Sequence, residues 1–353
     1  MQRQTVGPPG TGDEVASTGA IVMSERRFPA PSTVSKQARA WLAVDGGELS
    51  YPAAEDTEAW LAMAERANRS TARRFPISEL PVTVEDLDVD GATVYAARPR
   101  GVKEKADEPV FLWMHPGGLL VGGGDACRAT TARTASSMGM LTWGVDYRLP
   151  PLHPYPAALD DAIAVYRRVV RDRAPSRVFV GGDSAGGNIA AALLLRAKDA
   201  GLPMPAALVL NTPQVDLTEA GDTFQTLAGV DNVLSSLRAT NALYAAGADL
   251  RDPYLSPILG ELSGFPPTFL RTGTRDLFLS NTVRMHRELR RAGVEAELHV
   301  FEAMPHGGFG GDSPEDEEAA TEQRHFLDKH SLGKHCAWRH RARAATVREK
   351  RDS

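Results

Sequence analysis

Ser184, Asp276 and His306 each stand just past a short apolar run, and together they supply a nucleophile, an acid and a base. A serine hydroxyl is a weak nucleophile at neutral pH. It attacks a carbonyl only if a base within hydrogen-bond reach takes its proton and a third group holds that base. Ser184 lies in Gly182-Asp183-Ser184-Ala185-Gly186, which fits the G-x-S-x-G nucleophile elbow. Residues two away on either side of such a serine must be nearly bare, because the strand-to-helix turn is tight and strained. The apolar run Val178-Phe179-Val180 precedes it, and Ile189 to Leu195 follows as a buried-helix pattern. By itself the pentapeptide fits an ordinary glycine-rich turn equally well.

The other two members come from position. Of the nine histidines, His115 and His153 precede the serine in loop motifs. His286 falls in a helix pattern and His299 in a strand pattern, and His325, His330, His335 and His340 fall in the last helix and tail. His306, in Met304-Pro305-His306-Gly307-Gly308-Phe309, follows the last strand pattern, where a base can reach over a sheet edge. Asp276 follows the strand before it, in Thr272-Gly273-Thr274-Arg275-Asp276. The order Ser, Asp, His is that of α/β-hydrolases. A tetrahedral intermediate also needs donors for its oxyanion. The backbone N–H groups of Gly117 and Gly118, after a buried strand, and of Ala185, directly after the serine, are the candidates.

The 353 residues carry a net charge of −5, which does not favour nucleic acid or an anionic membrane as a partner. The two cysteines, Cys127 and Cys336, lack metal-ligand or C-x-x-C spacing, so a reducing cytosol is the expected compartment. No apolar run approaches the ~18 residues of a membrane span, and the N-terminus lacks the apolar stretch of a secretory signal. Residues 1–23, rich in Gly, Pro, Ser and Thr, read as a disordered extension, with Met23 a candidate start.

The elements that must position these groups follow in order. Two helical patterns, around Trp41 and around Trp60, occupy 24–75 and are separated by Pro52. They have too few apolar residues for a core of their own, and read either as part of a lid or as an N-terminal arm, the lid being favoured. Residues 82–89 and 92–97 flank Asp90-Gly91, a hairpin signal. Strand patterns follow at 110–114, 140–145, 177–182, 207–210, 267–272 and 296–301. Helix patterns alternate with them at 130–137, 160–170, after the elbow, and at 281–292. This is an α/β fold with a mostly parallel sheet of eight strands and active groups at the strands' carboxyl ends. The expected catalytic domain spans 76–332, with a cap insertion at about 217–250. An acidic run, 312–318, precedes a helix over 319–329, and 333–353 reads as a basic, frayed tail.

Several motifs in this order resemble the hormone-sensitive-lipase-like esterases of the α/β-hydrolase superfamily, from about Val82 to Phe309. His115-Pro116-Gly117-Gly118 is similar to the family's HGGG box, Asp146 to Asp160 to its DYRLAPEHPFPAALDD segment, and Gly182 to Gly187 to its GDSAGG elbow. The resemblance implies a lid built from the N-terminal helices and the insertion, and cofactor-free hydrolysis of short-to-medium acyl esters. It also implies that His115 holds the oxyanion loop and that Asp183 braces the elbow. Two departures stand out: Pro116 replaces the first glycine, and Leu152 replaces an acidic residue expected in an ion pair. The segment Gly273 to Ser280 is similar to monoterpene ε-lactone hydrolases, and N-acetyl hydrolysis would use the same groups. A non-catalytic small-molecule binder, like the plant gibberellin receptors, is the alternative of another class; retention of His306 with Ser184 and Asp276 argues against it. A serine peptidase ranks low, since no further domain gates a peptide channel. The expected partner is a small-molecule ester, with no metal, nucleic acid or membrane; a homodimer stays open.

Overall fold

The computed structural model describes residues 27–44, 50–102 and 108–331. The expected disordered extension, Cys336 and the basic tail lie outside the described residues. From Pro31 onward the described chain clusters as one compact unit.

Alternation along the strands builds the core. Successive side chains of a strand point to opposite faces, and the middle strands of a parallel sheet are apolar on both. In β3 (Val110–Met114), Leu112 and Met114 enter one buried cluster while Phe111 and Trp113 enter another. In β5 (Val178–Asp183), Val180 and Phe179 divide the same way. The remaining strands are β1 (Val82–Val89), β2 (Ala92–Pro99), β4 (Leu141–Asp146), β6 (Ala207–Asn211), β7 (Thr268–Gly273) and β8 (Ala296–Phe301). They form one eight-stranded sheet in the order β1-β2-β4-β3-β5-β6-β7-β8. The two pairings of β2 are antiparallel and all the others parallel.

The helices cover both faces. They are α1 (Lys36–Leu42), α2 (Thr57–Arg74), α3 (Asp125–Met138), α4 (Ala157–Asp172), α5 (Ala185–Asp199), α6 (Thr223–Thr226), α7 (Arg238–Ala245), α8 (Leu279–Arg291) and α9 (Pro314–His330). Helices α4, α5 and α8 close one face through residues such as Tyr166, Leu193 and Met285. Helices α3 and α9 close the other through Met138, Phe326 and Leu327. No helix among the described residues is long and apolar enough to cross a membrane.

Several boundaries differ from the sequence reading, three helix starts most of all. Helix α3 begins at Asp125, a turn before Thr130, because Ala126, Cys127 and Ala129 are all buried and extend the apolar face. Helix α4 likewise spans three more residues at its start, from Ala157. The acidic run 312–318 is not a separate linker but largely the first turn of α9. Ser313 caps it, the Asp316 carboxylate closes a capping box, and Glu315, Asp316 and Glu317 face the positive end of the helix. The missing acid at Leu152 leaves that side chain exposed, and Arg148 pairs instead with Asp161, its guanidinium and its backbone N–H both donating.

The strand order reverses between β4 and β5 around β3, and ligand sites of open α/β sheets form outside the carboxyl ends at such a point. Met114 at the end of β3 pairs with Gly182 at the end of β5, so the loops that follow them are neighbours. The closeness is extreme. A Cβ on Gly186 would lie 2.0 Å from the Met114 carbonyl oxygen, and one on Gly182 would lie 2.3 Å from the Gly186 carbonyl. Both contacts are with backbone, which cannot swing away. Gly186→Ala is therefore expected to destabilise the fold by ~3 kcal/mol, the upper end of overpacking costs, measured by urea denaturation; a loss under ~0.5 kcal/mol would contradict this packing.

Candidate active site

Ser184 is forced into its position by the turn. Its backbone sits at φ 56°, ψ −118°, a region that costs a non-glycine residue ~1–3 kcal/mol. Hydrogen bonds hold it there: the Ser184 N–H donates to the Asn211 carbonyl at 2.9 Å, and the Gln214 N–H donates to the Ser184 carbonyl at 3.0 Å. The side chain is thereby presented at the start of α5, next to the loop after β3.

Asp276, after β7, reaches it from two strands away, and His306, after β8, from three. The Ser184 hydroxyl lies 2.8 Å from His306 Nε2, and His306 Nδ1 lies 2.9 Å from Asp276 Oδ1. A carboxylate only accepts, so Nδ1 carries the proton and Nε2 is left to accept the serine proton. Asp276 is fully buried, and it also accepts from the Thr272 hydroxyl at 2.6 Å and the Phe278 N–H at 2.9 Å. The edge of Phe278 packs against the imidazole, with centroids 4.8 Å apart. Burial pushes the His306 pKa down. The hydrogen bond and charge of Asp276, with the charges of Asp231 and Asp183, outweigh it, so the net shift is upward.

The loop after β3, with its candidate oxyanion donors Gly117 and Gly118, is braced on three sides. The Tyr147 hydroxyl donates to the His115 carbonyl at 2.7 Å, and the two rings stack at 4.0 Å. His115 Nδ1 faces the Pro116 carbonyl at 2.9 Å. From α2, the Asn68 side chain accepts the Gly122 N–H at 2.7 Å. Gly117 adopts φ 140°, which its residue type permits, and Pro116 fits immediately before it. The N–H groups of Gly117, Gly118 and Ala185 are not spent on backbone acceptors outside the regular elements. His115 is fully buried, and burial lowers its pKa to about 4 against the contrary pull of the Pro116 carbonyl. Burial thus favours its neutral form.

Asp183 accepts from Asn211 Nδ2 at 2.7 Å behind the elbow, and burial pushes its carboxyl up. One set of side chains has the makings of a metal site among the described residues: His115, Cys127 and Asp146, with ligand atoms within 4.8 Å of one another. Asp146 is already engaged by the Gly124 N–H and the Tyr95 hydroxyl, and burial pushes the Cys127 thiol well up.

The segments read as a lid make the following contacts. Val34 and Ala38 pack on Ala303, Met304 and Phe309 of the histidine loop, and Ser35 is clasped by Glu315 of α9. In the insertion, Phe224 and Leu237 pack on Leu277 and Phe278 of the acid turn. Leu237 and Thr240 stand 3.5–3.9 Å from where a Cβ on Gly118 would be. The sequence reading missed Asp231, whose carboxylate also reaches the acid turn and the histidine loop. It sits in an irregular loop with no periodicity or motif to mark it.

The comparisons agree with this fold. A family profile described as the alpha/beta hydrolase fold matches residues 111–309. An acetyl-hydrolase of Streptomyces hygroscopicus is 32% identical over 205 residues, 57% of this chain and 69% of that protein. Esterase LipI of Mycobacterium tuberculosis is 32% identical over 258 residues, 68% of this chain and 78% of that protein. Among solved structures, esterase E25 superposes with a TM-score of 0.82 at 33% identity, covering 89% of this chain and 99% of its own. An esterase from the bacterial hormone-sensitive lipase family superposes at 0.73 and 29% identity, covering 85% and 99%.

The two buried imidazoles should titrate in opposite directions. In an NMR titration His306 is expected to protonate above the usual histidine value of 6.5, and His115 to stay neutral down to about 4. The sign matters for stability. A raised folded pKa makes the His306 contribution fully present below its unfolded value and lost as pH rises through the folded one.

Proposed function

We propose that this chain, which belongs to the alpha/beta hydrolase fold family and within it to the hormone-sensitive-lipase-like esterases, is a serine carboxylesterase acting on short-to-medium acyl esters. The observation that carries this is the unbroken hydrogen-bonded line from Ser184 through His306 to Asp276, at 2.8 and 2.9 Å.

Ser184 Oγ attacks the ester carbonyl carbon while its proton passes to His306 Nε2. The carbonyl oxygen takes the negative charge, and the N–H groups of Gly117, Gly118 and Ala185 stabilise it. Asp276 stabilises the imidazolium without itself taking the proton. Collapse of the intermediate expels the alcohol, which receives the proton from His306, and leaves an acyl group on Ser184. Water, deprotonated by His306, attacks that acyl carbon and releases the acid. The pair returns to its starting state, and no step calls on a cofactor.

Leu237 and Thr240 over Gly118 narrow the space beside the reacting carbonyl, which favours the shorter acyl chains. Relatives named acetyl-hydrolases point the same way. The helices of 24–75 and the insertion at about 217–250 form the cap over this site, and the substrate is a small-molecule ester.

Ser184→Ala is expected to abolish turnover of p-nitrophenyl acetate and covalent labelling by an organophosphate while keeping the wild-type circular dichroism. Turnover persisting in that variant, with no label at another residue, would overturn the assignment. Asp276→Asn is expected to lower kcat on the order of 10⁴-fold through loss of the tautomer and the charge. KM should change little, since the loss is felt in the transition state; steady-state kinetics separate the two.

A further inference from the structure

Asp231 lies in the loop between α6 and α7 and is 6% exposed. Its Oδ1 accepts the N–H groups of Val233 at 2.9 Å and Leu234 at 3.2 Å. Its Oδ2 accepts the N–H groups of Leu277 at 2.8 Å and His306 at 3.3 Å. One carboxylate thus joins three segments: its own loop, the turn that carries Asp276, and the loop that carries His306. A carboxylate has about four lone-pair sites, all of which this arrangement uses. An amide of the same shape has a single oxygen, and its NH₂ group would confront N–H donors.

We infer that Asp231 is a positioning residue for the proton-transfer pair: it fixes the backbones of His306 and Asp276 in the register where Nδ1–H meets Oδ1, and ties that register to the loop carrying Leu237. The inference rests on the reaction proposed above. The charged groups facing His306 are Asp276 from the turn after β7, Asp231 from the α6–α7 loop, and Asp183 from the end of β5. Asp231 therefore also favours the imidazolium that forms when Ser184 gives up its proton. Its effect is on the base, and it does not touch substrate.

Glu219 provides an internal control. It pins the other end of the same loop, accepting the Leu237 N–H at 2.7 Å and the Ser236 hydroxyl at 2.7 Å and pairing with Arg238 at 3.3 Å. Among the described residues, it has no hydrogen bond to the turn of Asp276 or the loop of His306. If Asp231 merely held the loop, loss of either carboxylate would have the same consequence.

The test is pH-dependent kinetics of the full chain with p-nitrophenyl acetate, normalised to active sites counted by organophosphate labelling of Ser184. Asp231→Asn is expected to lower kcat per labelled site ~10- to 100-fold, the scale of a small misplacement of a reacting group. KM should stay within about threefold. The acid limb of kcat/KM should move to lower pH, because a negative charge facing the imidazole is gone. Asp231→Glu keeps the charge but displaces the oxygens, so it should lower kcat with the acid limb unmoved. Glu219→Gln should leave both kcat and the acid limb near wild type. Should Asp231→Asn not fold, Asp231→Glu carries the test, and a wild-type kcat there overturns the inference. So does an unchanged kcat and acid limb in Asp231→Asn, or the same shift in Glu219→Gln. A wild-type chain that takes no label at Ser184 would instead overturn the reaction itself.

Discussion

The first turn of α5 lies directly on the end of β3, with no room for a side chain between Gly186 and the Met114 carbonyl. The rest of the site depends on this contact. It brings the helix N-terminus, with its unpaired N–H groups and partial positive charge, beside the loop after β3. Donors from two separate loops can then converge on one oxygen. It also leaves Ser184 no ordinary backbone conformation, and the strain is held by bonds to Asn211 and Gln214 from the adjoining strand end. A packing constraint with no polar character of its own therefore fixes the geometry of a polar reaction.

A second constraint is electrostatic. Burying His306 disfavours its charged form, yet the proposed reaction requires that form to exist transiently. Three carboxylates, Asp276, Asp231 and Asp183, reverse the balance. Each is in turn placed by backbone and side-chain N–H groups: Phe278 for Asp276, four amides for Asp231, and Asn211 for Asp183. Such groups are costly to leave half-satisfied at low dielectric. This accounts for the density of side chain–backbone bonds in the irregular segments around the site, where an ordinary surface loop would bond to water.

Much of this was legible in the chain. Alternation and apolar runs marked all eight strands, and the helical period marked the helices between them. The candidate elbow, acid and base are each flagged by a motif or a strand end, and the structure joins Ser184, His306 and Asp276 in one hydrogen-bonded line. Helix starts were read less well. Asp125 to Ala129 has no cap residue that stands out, since Gly124 precedes it at φ 62°, and only burial against the sheet shows that the helix begins there. Asp231 was invisible for a related reason. Its four partners are backbone amides, two of them 46 and 75 residues away, and a backbone N–H has no letter in the sequence.

The sequence alone marked the candidate reacting groups and their order along an alternating α/β chain, because those depend on residue type and local period. Tertiary structure decided what surrounds them. It seated Leu237 and Thr240 over Gly118, laid the Val34–Ala38 face on the histidine loop, and turned Arg148 to Asp161 where Leu152 offers no charge. These are long-range contacts between irregular segments. Their register is set by shape and by hydrogen bonds to main chain, which no spacing of side chains along the sequence encodes.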